Sequence, residues 1–241
     1  MKAYISTFKF GLKQITRDNM LVLMMVAPFL SGIAFKFGLP ILDEILANKF
    51  GIGKILEPYF RTFDSLLVFL APSLICIIAS FLILDEFDDK VSSYIFVTPI
   101  GYGGYIFARL AIPSIFAFLL SLGILMVFSL TKISFFLALT LALIATLYAI
   151  ATTLIVVSIA KNKVEGLALV KLTGISFLGI LAPAFVKGEM QYIFSVLPSF
   201  WLAKVSLEYG SKTFIITLLL GLICSMFWIS VFYRTFKRKL A

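Results

Sequence analysis

Six long apolar runs alternate with short polar or turn-rich segments along this chain. They cover residues 20–40, 64–84, 108–130, 135–160, 167–186 and 213–233. A helix needs about 20 mainly apolar residues to cross the hydrocarbon core of a bilayer. Each run reaches that length, so the pattern predicts an all-α membrane protein with six transmembrane helices.

The residues before the first run predict a helix that lies in the membrane interface. Ile5, Phe8, Leu12 and Ile15 recur at intervals of three and four, which places them on one face of a helix. Basic side chains, Arg17 among them, occupy the other faces. A helix of this kind buries its apolar face in the headgroup layer and holds its cations near anionic lipids.

Charge and composition support one membrane domain. Of the 241 residues, 61% are hydrophobic and only 14% are charged, and the net charge is +9. The basic residues flank the apolar runs, which indicates membrane topology and argues against nucleic-acid binding. More of them fall on the side of the termini, so we expect both termini in the cytoplasm and the protein in the plasma membrane. The domain divides into an interfacial helix (1–19), a membrane region (20–233) and a basic tail (234–241).

The positions of ionisable residues narrow the function. The chain has no histidine, which excludes histidine metal sites, triads and proton shuttles. No carboxylate falls in the middle of an apolar run. Carriers driven by protons or sodium usually place ionisable groups at that depth. The sequence also contains no Walker A motif. We therefore expect no catalytic, metal or nucleotide site in this chain and an energy source outside it.

An acidic segment follows the second apolar run. Asp85, Glu86 and Asp89 precede a short apolar stretch that reads as a helix over residues 91–97. Thr98 and Pro99 then end it, because proline cannot continue a helix. The pattern predicts acids at the N-terminus of a short helix in an exposed hairpin, where they suit the helix dipole. Simple solvation of the loop is the other interpretation.

The order of these segments resembles that of the ABC-2 type permeases, the membrane subunits of ATP-driven exporters. The basic amphipathic helix ends at residues 16–21 (TRDNML), and the first run carries Pro28. The acidic loop then leads to Thr98, Pro99 and a Gly/Tyr segment, and residues 197–201 (LPSFW) precede the last run. The resemblance covers nearly the whole chain, and its specificity lies in the order of the motifs.

The resemblance implies a type V exporter fold and a dimer of permeases, either homomeric or heteromeric. It also implies two separate ATP-binding subunits, which would hold the ATP and magnesium. The loop after the second helix would couple to the ATPase through Asp85, Glu86, Asp89, Val91, Tyr94, Ile95, Val97, Thr98 and Pro99. The chain departs from the family where a Gly-Thr pair often follows the acids, since Val91 and Ser92 stand there.

A path for cargo is expected between two copies, lined by the second and fifth helices. Ser73, Ser80, Thr173 and Ser176 supply modest polarity there, which favours a drug, lipid or peptide with apolar character. The alternative is that these hydroxyls only join helices, as serine and threonine often do in membranes.

Two other classes of function remain open. An autonomous carrier or channel would need no ATPase. An intramembrane transferase would use the acidic loop to bind magnesium, but a second acidic motif that such sites usually need is missing from the sequence.

Overall fold

The computed structural model describes residues 13–51, 53–89 and 101–240, and it confirms the all-α architecture. Within these ranges there are no strands. Six helical segments are long and apolar enough to cross a membrane, and we number them spans 1 to 6. They are Asn19–Phe50, Glu57–Asp88, Gly103–Phe128, Phe135–Ile159, Lys163–Phe185 and Phe214–Lys239.

Spans 2 and 4 form the centre of the bundle. Both are mostly buried, whereas less than a third of the most apolar stretch of each of the other four spans is buried. The side chains of Val68, Leu141 and Ile144 are fully buried in the central cluster. The many exposed apolar side chains of spans 1, 3, 5 and 6 are what a helix presents to lipid.

Spans 1 and 3 each contain one turn of π-helix just before a proline. The π turns are Ala34–Gly38 and Phe107–Ala111, and Pro40 and Pro113 lie in the first turn of the α-helices Leu39–Phe50 and Ile112–Phe128 that follow. A proline has no N–H to donate to the carbonyl four residues earlier. The wider π turn is a common way to accommodate such an interruption.

Because the number of spans is even, both described ends of the chain lie on the same side of the bundle. We call this side the termini face and define it by Asp18, Asp85, Lys163 and Lys239. On the opposite face, buried carboxylates cap loops: Asp43 accepts hydrogen bonds from the N–H groups of Ile55 and Leu56, both at 2.7 Å. Asp64 accepts from the N–H groups of Leu130 and Thr131. Both carboxylates therefore have structural partners within the chain.

A short helix, Pro198–Leu207, packs inside the bundle on the opposite face; we call it the inserted helix. Phe200 and Ala203 are fully buried in it, and the indole of Trp201 donates to the carbonyl of Ser195 at 2.7 Å. From the sequence, the aromatic residues of this segment suggest either a surface helix in the membrane interface or a re-entrant segment. The burial of the inserted helix agrees with a re-entrant segment. Gly179 of span 5 allows the close approach, because a Cβ there would overlap Ser199 Oγ and lie 3.1 Å from the Phe200 nitrogen.

Gly179→Ala is therefore expected to push the inserted helix from its seat and to lower stability by about 1–3 kcal/mol. Gly123→Ala in span 3 is the matched control, because a Cβ at that position meets nothing within 4 Å. Thermal unfolding of the two purified variants in the same detergent measures the difference. Equal melting temperatures for both variants would contradict the tight contact.

Candidate translocation site and termini face

Span 5 is broken near the middle of its length. Its first helix, Lys163–Thr173, ends at Gly174, and a second helix, Ser176–Phe185, follows at once. Irregular backbone at membrane depth is tolerated where it is buried in protein or lines a cavity. Discontinuous helices often mark the substrate site in transporters, so the break directs attention to the spaces beside it.

A first cavity of about 130 Å³ lies between spans 2, 4 and 5 at this break. It is lined by hydroxyl groups of Ser73, Thr152 and Thr173 and by aromatic rings of Phe69 and Tyr148, among others. The structure thus brings together Ser73 and Thr173, which the sequence assigned to one path from two separate helices. Both residues line this cavity within a single copy of the chain.

A second cavity of about 340 Å³ lies on the other side of the break, next to span 6 and the start of the inserted helix. It shares Tyr148, Thr152 and Thr173 with the first cavity and adds Ser176 and Trp228. The hydroxyl groups of Tyr148 and Ser176 are hydrogen-bonded to each other. No residue that lines either cavity carries a formal charge, so the site suits cargo with an apolar body and a few hydrogen-bonding groups.

Ser80, the fourth residue assigned to the path, lies elsewhere. It is fully buried, its hydroxyl donates to the carbonyl of Ile77 at 2.7 Å, and it lines neither cavity. Two helical turns separate it from Ser73, about 10 Å along the axis. Tyr148 and Thr152 of span 4 are the residues that the sequence prediction missed, because span 4 carries hydroxyl groups on several faces and no pattern marks one face as special.

Glu86 forms a buried ion pair with Arg109 at the termini face. The guanidinium donates from Nη2 to Glu86 Oε1 and from Nε to Glu86 Oε2, the latter at 3.2 Å. The hydroxyl of Tyr105 also donates to Glu86, at 2.9 Å. All three side chains are almost completely buried. Glu86 is thus engaged within the chain, and its carboxylate already has two partners, Arg109 and Tyr105.

The acidic residues themselves belong to span 2. Its helix continues through Asp88, so Asp85, Glu86 and Asp88 lie in a last turn, where the dipole disfavours negative charge. The structure therefore places these three residues at the C-terminal end of span 2, whereas the sequence placed Asp85 and Glu86 in a loop before the N-terminus of a helix over residues 91–97. Cations from other spans compensate: Arg109 pairs with Glu86, and Lys163 pairs with Asp85.

Lys163 connects three spans at the termini face. Its ammonium group lies 3.0 Å from Asp18 Oδ2 and 3.0 Å from Asp85 Oδ2, and its backbone N–H donates to Asp88. Asp18 also caps span 1 by accepting from the N–H of Met20 at 2.9 Å. The Lys163 hydrogen bond is the largest influence that holds the pKa of the Asp18 carboxyl below its usual value, against the opposing effect of burial.

Span 6 joins the same face through Lys239. Its ammonium group donates to the carbonyls of Val157 and Ala160 at the end of span 4 and lies 5.2 Å from the centre of the Phe87 ring. The ends of all six spans on this side are therefore tied by polar contacts. Residues 90–100 connect spans 2 and 3 between two of these anchored ends.

The remaining predicted site residues have the following positions. Ile15 and Arg17 lie in a helical turn over residues 13–17, with Ile15 partly buried and Arg17 exposed; Asp89 is also exposed. The others lie outside the described residues, namely Ile5, Phe8, Leu12, Val91, Tyr94, Ile95, Val97, Thr98 and Pro99.

Comparison with known proteins adds a family to this geometry. Residues 11–233 match the family described as fluoroquinolones export permease protein Rv2686c-like. The chain belongs to this family of export permeases. Two relatives from Mycobacterium tuberculosis, the fluoroquinolones export permease proteins MT2760 and Rv2686c, are each 28% identical over 237 residues, which cover 92% of this chain and 89% of theirs. No solved structure matches the permease.

The family assignment and the six spans agree on a multi-pass membrane protein that takes part in export. They support the resemblance to ABC-2 type export permeases, and they favour a transport subunit over an enzyme. The permease thus combines an uncharged, hydroxyl-lined site at a broken span with a termini face held by ion pairs.

Proposed function

We propose that this permease exports amphipathic aromatic drugs of the fluoroquinolone kind through the two cavities at the break in span 5. The observation that carries the proposal is the lining of these cavities, which offers aromatic rings and hydroxyl groups and no charged side chain. A flat aromatic molecule with several hydrogen-bond acceptors fits such a lining in its uncharged form, because a formal charge would be costly there. The names of the two relatives support this class of cargo.

We further propose that the energy comes from ATP bound with magnesium on a separate subunit, and that two permease copies, identical or different, assemble with two such subunits. The termini face is the docking surface, and it lies in the cytoplasm of a cell whose plasma membrane the permease spans. ATP binding draws the soluble subunits together, and the anchored ends of spans 2 and 3 transmit that motion as a rigid lever. The break in span 5 is the element that responds.

Transport by reconstituted vesicles tests this function directly. The permease is co-expressed with a candidate ABC ATP-binding protein, and uptake of a fluorescent fluoroquinolone into inside-out vesicles is followed. We expect uptake that requires both proteins and hydrolysable ATP. Uptake by the permease alone, driven by a proton gradient, would instead establish the autonomous carrier. Metal-dependent turnover of a lipid substrate would establish the transferase.

Tyr94→Ala combined with Ile95→Ala is expected to abolish ATP-dependent export while the permease still inserts and assembles. The reason is that the resemblance to ABC-2 type permeases assigns these apolar side chains to the contact with the ATPase, and contacts of this kind contribute about 1–3 kcal/mol each. Co-purification with the ATPase and drug uptake are measured together. If both survive, the docking surface lies elsewhere, and residues 161–166 at the start of span 5 become the next candidates.

A further inference from the structure

A third cavity, of about 270 Å³, lies apart from the path, between the interfacial turn and spans 1, 2 and 3. Ile15 and Met25 close one side of it, and the rest of its lining comes from spans 2 and 3. Among the described residues that line it, Arg109 is the one that carries a charge. Neither the cargo path nor the docking of an ATPase uses this space.

The polar and apolar parts of the cavity are ordered along the membrane normal. Arg109 and Leu82 lie near the termini face, six residues from the ends of their spans. Ile75 and Phe116 lie deeper by about two helical turns, or about 10 Å. A ligand would therefore place a polar group beside Arg109 and an apolar tail deeper in the membrane, which is the order of a lipid ester and its acyl chain.

The state of Arg109 defines which polar group fits. Its Nε and Nη2 donate to Glu86, and neither of these hydrogen bonds uses Nη1. Nη1 is not one of the fully buried polar atoms without a partner, so it can donate to an acceptor in the cavity. Because Glu86 already neutralises the guanidinium, an anion would bring an uncompensated charge into a buried site. A neutral carbonyl oxygen satisfies the donor without that cost.

We propose that this cavity binds an acyl chain of a glycerolipid from the adjacent leaflet, with the ester carbonyl accepting a hydrogen bond from Arg109. The cavity, of about 270 Å³, can hold part of one acyl chain. Pockets for drug-sized molecules are usually larger, at about 300–1,000 Å³. The bound chain contacts Ile15 and spans 1 to 3 together, so it fastens the helical turn over residues 13–17 to the ends of spans 2 and 3.

Lipids with and without the carbonyl test this site on the intact protein. The purified, delipidated permease is titrated with dioleoyl phosphatidylglycerol and with its ether-linked analogue, which has the same headgroup and similar chains. Bound lipid is counted by native mass spectrometry. We expect about tenfold weaker binding of the ether lipid, the effect of losing one hydrogen bond from a charged donor. Phosphatidylcholine with ester chains is expected to bind with the same affinity as the ester phosphatidylglycerol, because the site binds the ester carbonyl and does not contact the charged headgroup.

A variant that fills the cavity gives an independent test. Ala79 lines the cavity and is buried, so Ala79→Leu is expected to remove most of the lipid retained through purification. Ala168→Leu, at an exposed position of span 5, is the matched control and keeps it. Equal binding of ester and ether lipids, retention of lipid by Ala79→Leu, or displacement of the lipid by a fluoroquinolone would each overturn the proposal.

Discussion

Glu86→Gln, with Arg109 retained, is expected to destabilise the permease by about 3–5 kcal/mol. The substitution leaves a guanidinium that is almost completely buried without its counter-charge. Removing one partner of a buried ion pair is far more costly than removing both, because the remaining charge has lost its solvation and gained nothing. Chemical unfolding of the purified permease in a fixed detergent measures the loss.

The double variant Glu86→Gln with Arg109→Met distinguishes the pair from a general loss of packing. We expect it to recover most of the stability that the single variant loses, because no charge then remains buried. Asp89→Asn is the control for loss of negative charge, since Asp89 is exposed and its replacement should change stability by less than about 0.5 kcal/mol. A double variant as unstable as the single one would mean that the two side chains act separately.

Thr173→Phe is expected to lower drug export by about tenfold or more while the permease stays folded. Thr173 borders both cavities at the break in span 5, so a larger ring there fills the space that cargo needs. A loss of only about 1.4 kcal/mol of cargo binding is enough for a tenfold effect. Fluoroquinolone uptake into vesicles with matched protein content is the measurement.

Ile216→Phe provides the matched control for the same new side chain. Ile216 is exposed on span 6 and lines neither cavity. Export by this variant is expected to equal that of the parent protein. Full export by Thr173→Phe, with normal uptake kinetics, would place the path away from the break and would leave the threonine as a helix-packing residue.

The spans were predictable from sequence because hydropathy over about 20 residues depends on lipid alone and needs no knowledge of tertiary contacts. The ends of the spans were less predictable. Span 1 continues past the predicted limit of residue 40 to Phe50, since a π turn accommodates Pro40 and loop N–H groups satisfy Asp43. Span 2 likewise continues to Asp88, because cations from spans 3 and 5 compensate its acidic last turn.

The site was predictable only in part. Ser73, Thr173 and Ser176 were found because hydroxyls are conspicuous in apolar runs, and the structure places them around one break. Ser80 donates to a carbonyl of its own helix, as Ser73 and Thr173 also do, but it lies outside both cavities. The pairing of Lys163 with Asp18 joins residues 145 positions apart. Such a contact depends on which spans pack together, and a single sequence carries no signal for that.

The lengths of spans 1 and 2 have a consequence for the surrounding bilayer. Each is 32 residues long, or about 48 Å as a helix, and Asp43 ties the end of one to the start of the other. A typical hydrocarbon core is only about 30 Å thick. This helical hairpin must therefore tilt, thicken the local bilayer or project beyond it, each at an energetic cost that depends on lipid chain length. Bilayer thickness is thus a variable that acts on span 2, which lines the first cargo cavity, and on both spans where they end at the termini face.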